Sequence, residues 1–142
     1  MAPRPIIIAL SLMALAGCST APVQQAPLFD RLGGMPAFTA AAEIIVSSVS
    51  QDPRTSRTFD GINLKTLKAS VAVHLCSVTG GPCRYEGESM AKAHAGMGLS
   101  DGEFDVMGVF VDRAFERQGA KAADRKELAV LLGRMRPDVV QK

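Results

Sequence analysis

The sequence has few residues of the types that carry most protein chemistry. It contains two histidines, three cysteines, one tyrosine and no tryptophan, and aromatic residues make up 5% of its 142 positions. With so few aromatic rings, aliphatic side chains must fill most of the core. Chemistry that depends on imidazole or thiolate is restricted to His74, His94, Cys18, Cys76 and Cys83.

Composition and charge exclude two classes of protein. Hydrophobic residues make up 47% and charged residues 21% of the chain, which excludes intrinsic disorder as its overall state. The formal net charge is only +2 and the sequence has no basic stripe, so we expect no nucleic-acid partner. The length corresponds to one compact domain.

The first part of the sequence is typical of an export signal. Arg4 precedes an apolar run from Ile6 to Leu15, which is shorter than the about 20 residues that a membrane-spanning helix needs. The run ends in Leu15-Ala16-Gly17-Cys18, which resembles the lipoprotein box of bacteria. This resemblance implies a lipoprotein-type signal peptide at residues 1–17 and a lipid on Cys18. An ordinary secretory signal is the alternative.

Residues 18–27 are rich in Ala, Pro and Gln and are predicted to form a flexible tether. We therefore expect the domain at residues 28–142 to be anchored through Cys18 in a lipid bilayer of the bacterial cell envelope, facing the periplasm. Attached acyl chains anchor a protein by contributing about 0.8 kcal/mol per buried CH₂ group.

The rest of the sequence has the hydrophobic periodicity of helices and no useful stretch with the period of a strand. Asn63 stands at a helix-capping position, and Ser100 opens a capping-box pattern. Gly119 marks the end of a helix, and Pro137 is expected to break the last one. The sequence predicts an all-α domain.

Five segments carry a family resemblance, namely residues 28–34, 59–61, 80–87, 90–99 and 131–140. The most specific series within them is Gly80-Gly81-Pro82 followed by Tyr85, Gly87, Met90 and His94. In this spacing the segments resemble the group I truncated haemoglobins.

The resemblance implies a truncated two-over-two globin fold that binds haem b without a covalent bond. By the same resemblance, His94 is the proximal ligand of the haem iron and Phe59 packs on the porphyrin. Tyr85 and Met90 then belong to the segment that presents the helix of His94. Because the sequence has no Cys-x-x-Cys-His motif, a covalent c-type haem is excluded.

The segments expected to form the distal side depart from the family pattern. Many members have a tyrosine in the second helix, where the alignment puts Ile45, with Ile44 as the alternative. The distal helix has Leu67 and Val71 where others carry polar groups, so we expect an apolar ligand pocket. Since a charge-assisted hydrogen bond contributes about 1–3 kcal/mol, oxygen should be held less tightly than in relatives with a polar pocket.

His74 lies on the same helical stripe as Leu67 and Val71. Three interpretations are open for it. It contacts the haem edge or a propionate, it is a distal ligand of the iron, or it is a helix histidine without a role in the site.

Cys76 and Cys83 flank the turn at residues 80–82. Outside the inner membrane a disulfide between them is permitted and would close a short loop, which contributes about 2 kcal/mol. Two free thiols are the alternative.

The function expected from these features is reversible binding of O₂, NO or CO at a haem iron in the cell envelope. Any turnover would need an external electron donor, which the sequence does not identify, because the chain has no reductase domain. The alternatives are a haem-dependent peroxidase or NO-detoxifying enzyme, and a haem-free envelope lipoprotein that binds a partner.

Overall fold

The computed structural model describes residues 25–141, and every regular element within them is a helix. The all-helical prediction is confirmed for this part of the chain. The helices are α1 (Leu28–Arg31), α2 (Gly34–Gln51), α3 (Leu64–Val78), α4 (Met90–Ala93), α5 (Asp101–Arg117), α6 (Ala122–Gly133) and α7 (Arg136–Val139), with a 3₁₀ turn at Ser56–Phe59.

The signal peptide predicted at residues 1–17, the lipidated Cys18 and most of the tether at residues 18–27 lie outside the described residues. In the part of the chain that is described, no helix combines the length and the apolar character that a membrane crossing requires.

Two helix starts follow the capping signals of the sequence. The Asn63 side chain accepts a hydrogen bond from the Thr66 amide at 3.1 Å at the start of α3. At the start of α5, the Ser100 hydroxyl accepts from the Glu103 amide at 3.3 Å, and the Glu103 carboxylate accepts from the Ser100 amide at 2.9 Å. The predicted capping box is therefore confirmed.

The end of the last long helix differs from the prediction. Helix α6 ends at Gly133, before Pro137 is reached, and Pro137 lies in the first turn of the separate helix α7. A proline fits there because first-turn amides have no intrahelical acceptor and its fixed φ suits a helix. Pro137 therefore helps to begin a helix instead of breaking one.

The core is built around α2, which packs most extensively against α3 and α5, while α5 packs in turn on α6. Phe38 of α2 is fully buried between two other rings. Its ring centroid lies 5.1 Å from that of Phe29 and 4.9 Å from that of Phe115, the latter edge to face. Three of the seven aromatic residues thus meet at the centre of the core, and Ile45 and Leu128 add aliphatic side chains to it.

The first turn of the domain is held to α6 by charge. The guanidinium of Arg31 donates to the buried carboxylate of Asp124 and, at 2.6 Å, to Glu127. Such charge-assisted pairs are stronger than neutral hydrogen bonds. They fix the short helix α1 against the N-terminal half of α6.

The turn that follows α3 needs glycine for two separate reasons. Gly80 has a φ of +81°, a left-handed conformation that side chains disfavour. At Gly81, a Cβ atom would lie 2.6 Å from the Cys76 sulfur and 2.6 Å from the Phe29 ring. The chain therefore passes directly over the end of α3 and the core.

Candidate functional site

A cavity of about 490 Å³ opens among helices α2 to α7, within the range of about 300–1,000 Å³ that is usual for small-molecule sites. Its lining is mainly apolar. The structure brings all the non-cysteine site residues of the sequence analysis to this one cavity, namely Ile45, Phe59, Leu67, Val71, His74, Tyr85, Met90 and His94. Ile44, the alternative to Ile45, is not among the lining residues.

One part of the lining comes from α2 and α3. Leu67, Val71 and His74 follow one another along one face of α3, because residues three or four apart in a helix share a face. Ser70 lies on the same face and Val46 neighbours Ile45, and both also line the cavity. Sequence reasoning missed these two, although the helical period that identified Leu67 and His74 also includes Ser70.

His94 is the C-cap of the short helix α4, and its imidazole is oriented by a hydrogen bond. Its Nδ1 atom lies 2.8 Å from the Met90 carbonyl oxygen. Because a carbonyl can only accept, Nδ1 carries a proton, so in the neutral ring the lone pair is on Nε2. A lone pair on a ring fixed through its other nitrogen is the usual form of a metal-ligating histidine.

The C-terminal segment forms hydrogen bonds with His94 and with the loop that follows it. The Gln141 side chain donates to the His94 carbonyl at 2.8 Å and accepts from the Gly98 amide at 2.9 Å. The Gln141 amide also donates to the Leu99 carbonyl at 2.9 Å. Gln141 therefore connects both ends of the loop that follows His94, and no motif in the sequence pointed to it.

Arg57 in the 3₁₀ turn also holds the loop that follows His94. Its guanidinium donates to the carbonyls of Met97 and Gly98, each at 3.1 Å, and pairs with Glu103 at 2.6 Å. Hydrogen bonds from Ser100 lower the pKa of Glu103, and the charge of Arg57 lowers it further. Glu103 is thus held ionised beside Arg57, and the pair joins the 3₁₀ turn to the start of α5.

His74 is half-buried, and its two ring nitrogens have no hydrogen bonds among the described residues. Both ring nitrogens are inaccessible and neither has a partner in the described part of the chain. The ring packs edge to face on Tyr85, with 4.8 Å between the centroids. Burial lowers the pKa of His74 below its ordinary value, and the nearby His94 lowers it further. The imidazole is therefore neutral at physiological pH.

Tyr85 reaches this contact from the segment that precedes α4. Its ring lies so closely over Gly87 that a side chain at that position would collide with it. The spacing Tyr85-x-Gly87 therefore has a steric cause. It lets the tyrosine ring fold back on its own backbone and pack against His74.

Cys76 and Cys83 are joined by a disulfide, with their Cα atoms 5.8 Å apart. Cys76 is fully buried in the core, and Cys83 is half-buried next to Met35. The bridge connects the last turn of α3 to the segment that carries Tyr85.

His74 makes the folded protein less stable than an apolar ring would in the same place. Before haem is added, we expect His74→Phe to stabilise the fold by about 1–3 kcal/mol, because it removes two unpartnered buried nitrogens. The depressed pKa of His74 means that the unfolded state binds more protons below about pH 6.5, so wild-type stability falls as the pH falls.

Urea unfolding of the two proteins at about pH 7.5 and about pH 5.5 measures both effects. The advantage of the variant should be larger at the lower pH. Equal stabilities at both values would contradict this description of His74.

The side chains around the cavity fit an iron porphyrin. An apolar plate needs an apolar slot, and its iron needs one oriented imidazole. Residues such as Phe59, Leu67 and Val71 form the apolar slot. The oriented imidazole is that of His94, whose Nε2 atom is available to the iron. Since these residues come from α3, α4 and the 3₁₀ turn, the fold is what assembles them.

Sequence comparison relates the chain to truncated globins. It is 33% identical over 84 residues to a group 1 truncated hemoglobin of Tetrahymena thermophila, an alignment that covers 59% of this chain and 69% of the relative. It is 25% identical over 115 residues to the group 1 truncated hemoglobin of a Nostoc strain, covering 81% and 98% of the two chains.

Structural comparison agrees. The crystal structure of the truncated hemoglobin of Tetrahymena pyriformis in its Fe(III) form superposes with a TM-score of 0.79 at 26% identity, covering 82% of this chain and all of that one. The predicted two-over-two globin fold is thereby confirmed. The family model for bacterial-like globins matches residues 27–141. The chain therefore belongs to the bacterial-like, truncated globin family.

Proposed function

We propose that the protein binds haem b non-covalently, with His94 as the ligand of the iron, and reversibly binds a diatomic gas there. Membership of the globin family supports haem and gas binding in general. The observation that carries the assignment of His94 is its hydrogen bond to the Met90 carbonyl beside the cavity, which leaves Nε2 as the free donor. When bound, haem supplies the ferrous iron at which gases coordinate.

The chain's own residues have distinct roles in this proposal. Phe59 and Met90 supply apolar contact for the porphyrin, and the Met90 carbonyl also orients His94. Gln141 and Arg57 hold the loop after His94 and thereby resist its displacement. The apolar lining excludes water from the iron, which protects a ferrous haem from oxidation.

The gas-binding side of the cavity offers few hydrogen-bond donors. Ile45, Leu67 and Val71 are apolar, while Ser70 and His74 are the polar side chains of the α3 face. We therefore propose that oxygen is released faster than from a pocket with a strong donor. The binding of carbon monoxide depends less on such a donor. We therefore expect a higher ratio of carbon monoxide affinity to oxygen affinity than in a pocket with a strong donor.

Leu67→Gln tests this part of the proposal. A donor contributes about 1–3 kcal/mol to oxygen retention, so oxygen dissociation should slow by roughly 5- to 150-fold. Leu67→Met is the matched control, because it keeps an apolar side chain of similar size. Stopped-flow displacement of oxygen by carbon monoxide gives the rates. The same rate in all three proteins would contradict an apolar distal side.

His74 is proposed to contact the edge of the haem rather than to coordinate its iron. Its ring is engaged by Tyr85 at the point where α3 meets the segment leading to α4. This contact favours a position beside the plate. Absorption spectra of the ferric and ferrous protein separate the interpretations, because a low-spin spectrum that His74→Ala abolishes would mean coordination.

The experiment that tests the proposed function is haem titration of the full chain, followed by spectra of the oxidised, reduced and carbon monoxide-bound forms. We expect a Soret band that saturates at one haem per chain and shifts with carbon monoxide. No saturable Soret band would overturn the proposal and favour a haem-free interaction protein.

The proposal extends to the cell envelope. It is supported by the sequence Leu15-Ala16-Gly17-Cys18 after an apolar run. Expression of the wild type and of Cys18→Ser in a bacterium with lipoprotein processing tests it. The wild type should stay with membranes in high salt and enter the detergent phase, whereas the variant should not. Identical partitioning of both would contradict a lipid on Cys18.

A further inference from the structure

The segment between α3 and α4 is held in place by side chains rather than by its backbone. In the described part of the chain, no backbone–backbone hydrogen bond involves residues 82–88. Burial alternates along the segment, with Cys83 and Tyr85 half-buried and Arg84 and Glu86 exposed. This alternation is typical of an extended chain that lies with one side against a surface. Cys83 and Tyr85 therefore face the same way.

Both inward residues attach the segment to α3. Cys83 is bonded to Cys76, and the Tyr85 ring packs on the His74 ring with 4.8 Å between centroids. The disulfide and the ring contact are two residues apart along each segment. Beyond Cys83, the ring contact joins the segment to α3, and the charge pairs Arg84–Glu86 and Glu88–Lys92 are local and exposed, so they contribute little. The covalent bridge is thus the main restraint on the segment.

The restrained segment leads directly to the candidate iron ligand. Tyr85 lines the cavity, and five residues later Met90 begins helix α4, whose C-cap is His94. Helix α4 has only four residues, too few to hold its position alone. Its position therefore depends on the segment before it and on its packing against α7, while Gln141 and Arg57 act on the loop after it.

We propose that the Cys76–Cys83 disulfide is a redox-sensitive latch that keeps the Tyr85 segment closed on His74 and so sets how tightly the protein retains its haem. This inference rests on the proposed function, because it concerns the same cavity. With the bridge intact, the edge of the cavity between α3 and the segment is shut. With the bridge reduced, the segment moves away from α3, the cavity edge opens and haem leaves faster.

The latch opens by thiol–disulfide exchange with a dithiol reductant. A thiolate of the dithiol attacks the Cys83 sulfur, the more accessible of the two, and forms a mixed disulfide while Cys76 leaves as a thiolate that takes up a proton. The second thiol of the dithiol then displaces Cys83. In total, two electrons and two protons pass to the bridge, and the dithiol becomes a disulfide.

The rate of haem transfer from the ferric holoprotein to an excess of a stronger apoprotein acceptor tests the latch. The proteins compared are the full-length wild type, Cys83→Ala, and Arg84→Ala as the control from the exposed side of the same segment, each with and without dithiothreitol. A thiol assay follows the bridge, with two extra thiols expected in the reduced wild type.

We expect Cys83→Ala and the reduced wild type to lose haem roughly tenfold faster than the oxidised wild type, the lower end of what losing an outer support of a metal ligand costs. Arg84→Ala should match the wild type. Dithiothreitol should accelerate the wild type but not Cys83→Ala, which separates opening of the bridge from effects of the dithiol on haem.

A structural readout does not depend on haem transfer. Tyr85 is the only tyrosine in the sequence, so its ring signals in the proton NMR spectrum of the carbon monoxide complex need no further assignment. Cross-relaxation between the Tyr85 and His74 rings should be present with the bridge and lost after its reduction.

Equal transfer rates with the bridge closed and open would overturn the latch while leaving the proposed function intact, as would an unchanged ring contact. Failure of the oxidised wild type to bind haem at all would instead be a failure of the proposed function.

Discussion

Replacement of His94 by glycine is expected to abolish stable haem binding, the largest functional effect of any single substitution in this chain. His94 is the only imidazole at the cavity whose ring is oriented by a hydrogen bond, from Nδ1 to the Met90 carbonyl at 2.8 Å. Loss of an outer partner of a metal ligand costs about 10–100-fold in affinity, so loss of the ligand itself should exceed about a hundredfold. Haem titration followed at the Soret band measures it.

Two controls make the result specific. Imidazole added to His94→Gly should restore a five-coordinate ferrous spectrum, because the cavity left by the ring accepts the free base. His74→Ala should keep its Soret band. Undiminished haem affinity in His94→Gly would contradict the assignment, and loss of the band in His74→Ala alone would transfer the ligand role to the other histidine.

Replacement of Phe38 by alanine is expected to have the largest effect on stability. The ring is fully buried and touches both Phe29 and Phe115, so its removal leaves a cavity in the centre of the core. Large-to-small changes of this kind lower the free energy of unfolding by about 3–5 kcal/mol. For a domain of this size such a loss is a large fraction of the total. Urea unfolding monitored by circular dichroism gives the difference.

The matched control is Val130→Ala, which shortens a side chain that is 53% exposed on α6. It should change the free energy of unfolding by less than about 0.5 kcal/mol. A loss of less than about 1 kcal/mol in Phe38→Ala would mean that the core collapses around the missing ring. Because Phe38 does not line the haem cavity, any folded fraction of the variant should still bind haem.

The part of the candidate site on α3 could be predicted from the sequence because helical periodicity is a local property, whereas the roles of Phe59 and His94 were expected only from the family resemblance. Leu67, Val71 and His74 are spaced so that any α-helix places them on one face. The capping side chains of Asn63 and Ser100 mark helix starts through hydrogen bonds that span only three residues. Hydrogen bonds of such short range form within one turn of a helix and need no contact with distant segments.

The supports of the site could not be predicted in this way. Arg57 reaches carbonyls 40 and 41 residues away, and Gln141 reaches His94 across 47 residues. Neither residue type is unusual at the surface, so nothing local distinguishes them from solvated side chains. Only packing of the 3₁₀ turn and the C-terminal segment around the loop gives them partners.

The sequence shows that the disulfide is permitted, and the fold shows that it forms. The sequence places Cys76 and Cys83 on either side of a glycine turn. This position permits a disulfide but does not decide between a disulfide and two free thiols. The structure joins them, because the turn at Gly80 and Gly81 folds the chain back so tightly that the two Cα atoms lie 5.8 Å apart.

The sequence by itself determined the helical class of the domain and carried the resemblance to truncated globins, which made His94 the expected iron ligand. Helical periodicity and the spacing of motifs are both properties of the chain itself. Tertiary structure alone decided that His74 is neutral and without a hydrogen-bond partner, that Tyr85 packs on it, and that the bridge stands beside their contact. Burial and contact between distant segments are properties of the folded chain, because water surrounds the same groups until the helices pack.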